Sequence, residues 1–432
     1  MEITVIGGGL AGCEAAWQAV RRGLRAVIYE MRPLKLTPAH RTGGLAELVC
    51  SNSLKSEDID NGAGLLKEEM RRMGSLVVEA ALGSRVPAGK TLAVDREAFS
   101  HYITGALEAA GVEIRRGEVT SLPAARPLVI ATGPLTAGAL ADEIRRLAGG
   151  GGLYFYDAVA PIVYGETIDM DVAFAASRYG RGGADYINCP MTRGEYERFA
   201  VELLNARRAP LHDFDREIPY YRGCMPIEAM VERGLRTPLF GPLRPVGLTD
   251  PRTGERPYAV VQLRREDREG RLFNMVGFQT RLAYDEQKRV FTMIPGLERA
   301  RFARLGKIHR NSYIDSPRLL TPALELRGAP GLFFAGQITG VEGYCESAAM
   351  GIVAGMSAAA FAAGAAFRPP PRETMTGSLA AYITDGSVKR FQPMNANFGL
   401  LPGGGGGRKR RAHTAARALR AMERWLELSP CN

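Results

Sequence analysis

The sequence predicts an α/β protein: a Rossmann-like dinucleotide-binding domain interrupted by an inserted α+β domain. Three observations carry this. An apolar strand runs directly into Gly7-Gly8-Gly9-Leu10-Ala11-Gly12 and a small-residue helix; a similar strand, glycine turn and helix recur from Gly331; and strand-rich segments fill the stretch between.

In chain order, Glu2 to Ile6 reads as the first strand and Cys13 to Arg22 as its helix, with Ala15, Ala16 and Ala19 small enough to pack closely on a sheet. Gly23 ends that helix, and Arg25 to Tyr29 forms a second strand closing on Glu30. Helices are expected around Leu65 to Met73 and Arg96 to Ala110, and a buried strand at Arg126 to Ala131, running into Thr132-Gly133. The glycines at 149–152 mark a boundary. Beyond it, Tyr154 to Tyr164, Tyr258 to Leu263 and Leu272 to Phe278 read as strands and Arg193 to Asn205 as a helix, the makings of an antiparallel sheet. Gly331 to Ala335 restores the α/β pattern, and the glycines from Gly403 to Gly407 precede a basic tail. The expected division is 1–150 and 306–432 as two segments of one domain, with 151–305 inserted.

Of 432 residues, 46% are hydrophobic and 24% charged, which excludes a wholly disordered chain, and the glycines are not periodic as collagen requires. Six cysteines without a C-x-x-C and five scattered histidines suggest neither a disulfide framework nor a metal module, so no metal is expected. Reduced thiols, and an N-terminus that enters a strand at once, point to a cytoplasmic protein. Ser347 to Phe367 has membrane length without a charge, but it is mostly Ala and Gly; it reads as a helix buried on a sheet. Net charge is +10, and the stretch from Arg408 to Arg424 carries +6 of it, a concentration that suits an anionic partner or a solvated helix face.

Gly7, Gly9 and Gly12 satisfy G-x-G-x-x-G after a strand and at the start of a helix. Gly7 permits the tight turn, Gly9 lets a pyrophosphate approach the backbone, and Gly12 lets helix and strand close together, with the helix N-terminus facing the phosphates. Glu30 is placed to accept a hydrogen bond from ribose hydroxyls. Two further segments favour FAD. Leu128-Val-Ile-Ala-Thr-Gly133 resembles a strand end of two-dinucleotide flavoproteins, and Gly331 to Gly336 with Gln337, Gly340 and Gly343 resembles their closing flavin motif. Gly8 stands where Ala is commoner, and Gln337 where many such proteins carry Asp.

Cys224 lies in Arg222-Gly-Cys-Met-Pro226, just before an expected helix N-terminus and beside Arg222; both features favour a thiolate, against the ordinary reading of a small buried residue. Cys50 lies among small polar residues with Lys55 nearby, whereas Cys13, Cys189, Cys345 and Cys431 read as structural. His309, flanked by basic and polar residues, is a structural histidine unless something more than its neighbours speaks for a role. Near the C-terminus, Leu419, Met422, Trp425 and Leu426 fall on one helix face and Arg417, Arg420 and Arg424 on the other; that basic face serves phosphate binding or solubility.

Long ordered strings then resemble one family, the folate- and FAD-dependent tRNA (uracil-5-)-methyltransferases of bacteria. They include Met31-Arg32-Pro33, Thr37-Pro-Ala-His40, Val49-Cys-Ser-Asn-Ser-Leu54, Tyr186-Ile-Asn-Cys-Pro-Met-Thr192, Phe240-Gly-Pro-Leu-Arg-Pro-Val-Gly-Leu248 and Gly340-Val-Glu-Gly-Tyr-Cys-Glu-Ser347. The resemblance implies that Met31 and Arg32 join the FAD site. It implies transfer of a one-carbon unit from 5,10-methylenetetrahydrofolate through FAD to C5 of the T-loop uridine, position 54 of tRNA, with NADPH or NADH as reductant. It makes Cys224 the nucleophile that adds to uracil C6, Cys50 a second functional thiol acting near C5 or guarding the flavin, and His309 a neighbour of the folate pterin. Two other classes compete: the longer wobble-uridine-modifying flavoproteins of tRNA, and a small-molecule flavin oxidoreductase whose basic tail only aids solubility.

Overall fold

The computed structural model describes residues 1–428 except 137, 150–152, 181–182, 211–224, 389–390 and 405; for 153–157, 309 and 310 it describes the backbone alone. Five parallel strands form the first sheet, in the order Leu332–Phe334, Leu128–Ile130, Glu2–Ile6, Arg25–Glu30, Glu113–Arg116. Ile3 to Ile6 and Leu128 to Ile130 are buried without a break, as strands covered on both faces must be. Each large aliphatic side chain removed from water there contributes about 1.5–3 kcal/mol. The first strand is flanked on one side by the second in sequence and on the other by Leu128–Ile130. Strand order therefore reverses beside it, and a crevice opens at the carboxyl ends.

Small residues set the spacing of two helices above this sheet. The first helix, Leu10–Val20, lies against the long helix Tyr344–Ala362. A methyl at Gly351 would overlap Ala11, and one at Gly355 would meet the Ala15 carbonyl oxygen at 2.6 Å, so the two backbones touch. The long helix starts three residues earlier and ends five earlier than its uncharged run suggested. Cys345 to Ala360 is buried throughout, so a helix of membrane-spanning length and apolarity forms the interior of this region.

The stretch between carries a six-stranded antiparallel sheet, in the order Phe174–Ala175, Tyr186–Met191, Ala259–Arg265, Leu272–Met275, Ile162–Tyr164, Phe302–Arg304. Its own core gathers Val163, Cys189, Phe199, Val261, Phe278 and Phe291. Pro161 divides the strand expected over Tyr154–Tyr164 into Leu153–Val159 and Ile162–Tyr164, since proline cannot donate to a ladder. Leu153–Val159 pairs antiparallel with Lys307–Tyr313, so the chain leaves and re-enters the first region on one ribbon.

The helix Arg193–Asn205 begins at a capping box, Thr192 with Glu195. At the other end of the chain, the helix Arg408–Glu427 docks Ala415, Ala418, Met422 and Trp425 into the first core. Trp425 Nε1 donates to the Arg368 carbonyl at 2.9 Å.

Candidate functional site

The crevice is a cavity of about 400 Å³, within the usual range for small-molecule sites. Its floor is the glycine loop. Gly7 has φ +105° and packs on Ala131, where a methyl would approach the carbonyl oxygen to 2.5 Å; a methyl on Gly12 would overlap the Gly7 carbonyl. Around Gly9, by contrast, a methyl would meet nothing within 4 Å: this position faces open space. Gly9 caps the first helix without a side-chain hydrogen bond, leaving first-turn N–H groups free for an anion. Gly8 is explained by its neighbours, because a methyl there would lie 2.5 Å from Leu45 Cδ2 and 2.9 Å from Glu30 Oε2.

Glu30 lines the cavity and is buried. Its carboxylate accepts from Gly8 N–H at 2.8 Å, Arg32 N–H at 2.9 Å, and Arg32 Nε and Nη2 at 3.0 and 3.1 Å. That fills about the capacity of a carboxylate, so Glu30 braces the glycine loop. Burial alone would raise its pKa; the Arg32 bonds and charge outweigh burial and hold it below the usual range. Arg32 also pairs with Glu47 at 3.1 Å. Burial and the Arg32 charge push nearby His40 down to about 4, so at neutral pH this ring is uncharged; Thr37 Oγ1 lies 2.6 Å from its Nδ1.

Of the expected cofactor residues, Gly7, Gly9, Leu10, Ala11, Glu30, Met31, Arg32, Gly133, Gly336 and Gln337 line this cavity. Gly8, Gly12, Gly340 and Gly343 do not. Gly340, at φ +84°, lies beneath the Phe391 ring. Gly343, at φ +119°, caps the long helix beside the Lys55–Glu346 ion pair, 3.1 Å long. Gly336 has φ +82°, and a methyl there would come within 2.8 Å of Ala11 Cβ. Sequence reasoning missed Lys35, Leu36, Thr37, His40, Val119, Thr136, Tyr344 and Ser347, which also line the cavity. The strings Thr37 to His40 and Gly340 to Ser347 contained four of them without marking a role.

Cys50 adjoins the cavity. Its N–H donates to Tyr344 Oη at 2.7 Å, and both Tyr344 and Val49 line the space. Three arginines from three elements grip this short segment. Arg96 Nη2 donates to the Cys50 carbonyl at 2.8 Å and Arg304 Nη2 to the Val49 carbonyl at 2.6 Å. Arg264 reaches Asn52 Oδ1 at 3.0 Å and Ser51 Oγ at 3.1 Å. Arg264 and Arg304 belong to the antiparallel sheet, so the two regions meet at this segment. Burial, then the charges of Arg96 and Arg41, push Arg304 down to about 10. Among the other cysteines, burial pushes the Cys13 and Cys189 thiols up, and Cys345 up to about 11, as inert core residues.

Cys224 lies outside the described residues, as do Cys431 and the His309 side chain. Just beyond Cys224, Pro226 is the N-cap of the helix Ile227–Glu232, which is the helix expected there. The His309 backbone sits in the connecting ribbon opposite Asp157. Arg420 and Arg424 are exposed on the C-terminal helix; Arg417 is half-buried and donates to the Pro402 carbonyl, because the chain before the helix folds back beneath it. No cluster of three or more metal-ligating side chains occurs among the described residues.

A parallel sheet with a topological switch, a glycine loop at a helix N-terminus and a returning strand–glycine–helix segment define a flavoprotein-type dinucleotide-binding protein. The family described as glucose inhibited division protein A matches residues 2–366. Two curated relatives are methylenetetrahydrofolate–tRNA-(uracil-5-)-methyltransferases TrmFO. That of Heliobacterium modesticaldum is 56% identical over 431 residues, 99% of this chain and 98% of the relative. That of Geobacter sulfurreducens is 56% identical over 429 residues, 98% of each. Among solved structures, Aquifex aeolicus GidA in its form II crystal is similar, with a TM-score of 0.72 and 19% identity over 99% of this chain and 74% of that one. That likeness supports the fold. The chain belongs to the methylenetetrahydrofolate–tRNA-(uracil-5-)-methyltransferase family.

Proposed function

We propose that this chain methylates C5 of the T-loop uridine of tRNA, position 54, in the cytoplasm, taking its one-carbon unit from 5,10-methylenetetrahydrofolate. The observation that carries the reading is the contact of the glycine-loop cavity with the Cys50 segment through Tyr344 and Val49, in a chain of this family. The residues present fit FAD: Gly9 leaves room for a pyrophosphate, and the first-turn N–H groups of the first helix offer it donors. Gly7, Gly8, Leu10, Ala11 and Gly12 shape that loop, Glu30, Met31, Arg32, Gly133, Gly336 and Gln337 line the cavity, and Gly340 and Gly343 form the turn and helix start that follow Gln337. When bound, FAD supplies the reducing equivalents that convert a methylene to a methyl, and NADPH or NADH restores them.

Uracil C5 is a poor nucleophile until a thiolate adds to C6. In this reading the Cys224 sulfur forms that bond, and the displaced electron pair makes C5 nucleophilic. Once the new carbon–carbon bond exists, the C5 proton leaves and the C6–sulfur bond breaks. Cys50 acts at C5 or shields the flavin, His309 contacts the folate, and Arg420 and Arg424 meet tRNA phosphates, with Arg417 beside them held by the Pro402 carbonyl. Segments 1–150 and 306–432 hold the cofactor, and the inserted 151–305 meets them at the Cys50 segment through Arg264 and Arg304.

The test is incubation of the protein with transcript tRNA, labelled methylenetetrahydrofolate and NADPH, followed by mapping of the label. Label at the T-loop uridine supports the reading; label at a wobble uridine, or none in RNA while NADPH is consumed, overturns it. With 5-fluorouridine tRNA, the normal protein and Cys50→Ala should trap a covalent adduct that Cys224→Ala cannot form. An adduct in Cys224→Ala but not in Cys50→Ala would reverse the two roles.

A further inference from the structure

The inserted region carries an aromatic and cationic surface apart from the cavity. Phe240 is 79% exposed. It ends the short turn Thr237–Phe240, whose Pro238 and Leu239 point inward. Gly241 and Leu243 both donate back to the Pro238 carbonyl at 3.0 Å, which fixes the turn with Phe240 outward. Tyr179 is 58% exposed and holds a left-handed backbone at φ +59°, ψ +22°, a conformation costing about 1 kcal/mol or more for a side chain of this kind.

Tyr179 is tied to the chain that follows Phe240. Tyr179 N–H donates to the Gly247 carbonyl at 2.7 Å, and its ring lies so close over Gly247 that a methyl there would meet it at 2.9 Å. Arg178 fastens the same junction, donating to the carbonyls of Val246 at 3.0 Å and Arg244 and to Gln262 Oε1 at 2.9 Å. From Arg233 to Leu248 the chain carries three arginines and no acidic residue. All three, Arg233, Arg236 and Arg244, are exposed. Folding gains little from a solvent-facing Phe, whereas flat rings beside exposed arginines are what unstacked bases and their phosphates require.

We propose that this surface docks unpaired RNA nucleotides, with Phe240 and Tyr179 as stacking faces and Arg236 and Arg244 on the flanking phosphates. The inference rests on the tRNA reading and extends it, assigning the inserted region to loop nucleotides and not to duplex stem.

Affinity for transcript tRNA, measured on the full chain across a salt series, tests it in Phe240→Ala, Phe240→Trp and Arg244→Gln. Flavin absorbance and thermal midpoint monitor folding. Phe240→Ala should weaken binding about 5- to 100-fold without changing the salt slope, and Phe240→Trp should restore it. Arg244→Gln should flatten the slope by about 0.7–0.9. A stem-only duplex should bind Phe240→Ala and the normal protein alike. Phe240→Ala within twofold of a normal protein that does bind tRNA overturns this inference alone. Loss of self-association in Phe240→Ala at unchanged tRNA affinity gives the patch to a protein contact and overturns it too. A normal protein that binds no tRNA overturns the functional reading itself.

Discussion

The glycine loop and the Cys50 segment border one cavity but are held in different ways. The loop is shaped by backbone: Gly7 by its positive φ, Gly12 by contact with the Gly7 carbonyl, Gly336 by its closeness to Ala11. The Cys50 segment is held by side chains, with Arg96, Arg264 and Arg304 converging from a helix and two strands of the other sheet. A backbone-built site fails when volume is added to it. A side-chain-built site fails when a donor is removed, and it depends on the docking of two regions. The two should therefore break separately.

The largest expected effect lies in the loop. Gly9→Val places a branched side chain in the open space of the pyrophosphate site, so the purified protein should fold but lack flavin, with methyl transfer abolished. Absorbance near the flavin bands checks this. A folded, fully yellow Gly9→Val protein would place the cofactor elsewhere.

This difference also governs what could be read from the chain. Each glycine of the loop answers a local demand, so strand, loop and helix were legible, as was the helix Arg193–Asn205, whose capping box lies within four residues. The arginine grip joins residues 46 to 255 positions apart in sequence, and nothing in the surroundings of Arg264 announces Asn52 as its partner. Residues 35 to 40 enter the cavity as irregular loop without periodicity. Gly340 and Gly343 matched a flavin motif because that motif also needs a tight turn and a helix start, and those are the positions they fill. Arg417 was assigned from the helical wheel, which cannot show the preceding chain folding back to offer Pro402.

Next in size is the grip itself. Arg264→Met keeps the apolar stem but removes the bonds to Ser51 and Asn52, while Asn52 retains its own bonds to Val94 and Arg265. The segment should loosen without unfolding. Turnover should fall about 10- to 100-fold, the usual cost of misplacing a group by an ångström, with flavin content normal. Alkylation of Cys50 should quicken at the same time. Normal turnover in this variant would show that the cavity does not depend on where the segment is held.

A smaller effect is expected far from both. Arg420 and Arg424 are exposed on a helix docked by its opposite face, so Arg420→Gln with Arg424→Gln should leave flavin and folding unchanged. If both meet phosphate, affinity for tRNA should drop several-fold, and the slope of log K against log salt should flatten by about 1.5. Arg417→Gln should add little, because that guanidinium already serves the Pro402 carbonyl. An unchanged slope would leave this basic face to solubility.

The smallest effect on catalysis, and the sharpest on stability, concerns a buried carboxyl that does not line the cavity. Glu69 is buried and accepts from the N–H groups of Met375 at 2.7 Å and Thr376 at 2.8 Å, and from Thr376 Oγ1 at 2.7 Å, capping the helix Met375–Ile383. Burial raises its pKa from 4.5 to about 7, against the pull of those donors. A carboxyl raised on folding binds its proton more tightly in the native state. Its contribution is therefore fully present below about pH 4.5 and is lost as the pH climbs through about 7, a total on the order of 3 kcal/mol. Glu69→Gln keeps the shape of the protonated group and cannot ionise. Unfolding free energies measured by urea from pH 5 to 8 should show the normal protein losing ground steadily to Glu69→Gln, with methyl transfer at pH 7 little changed. If the normal protein instead gains on the variant as the pH rises, the three donors outweigh burial and Glu69 is an ionised cap.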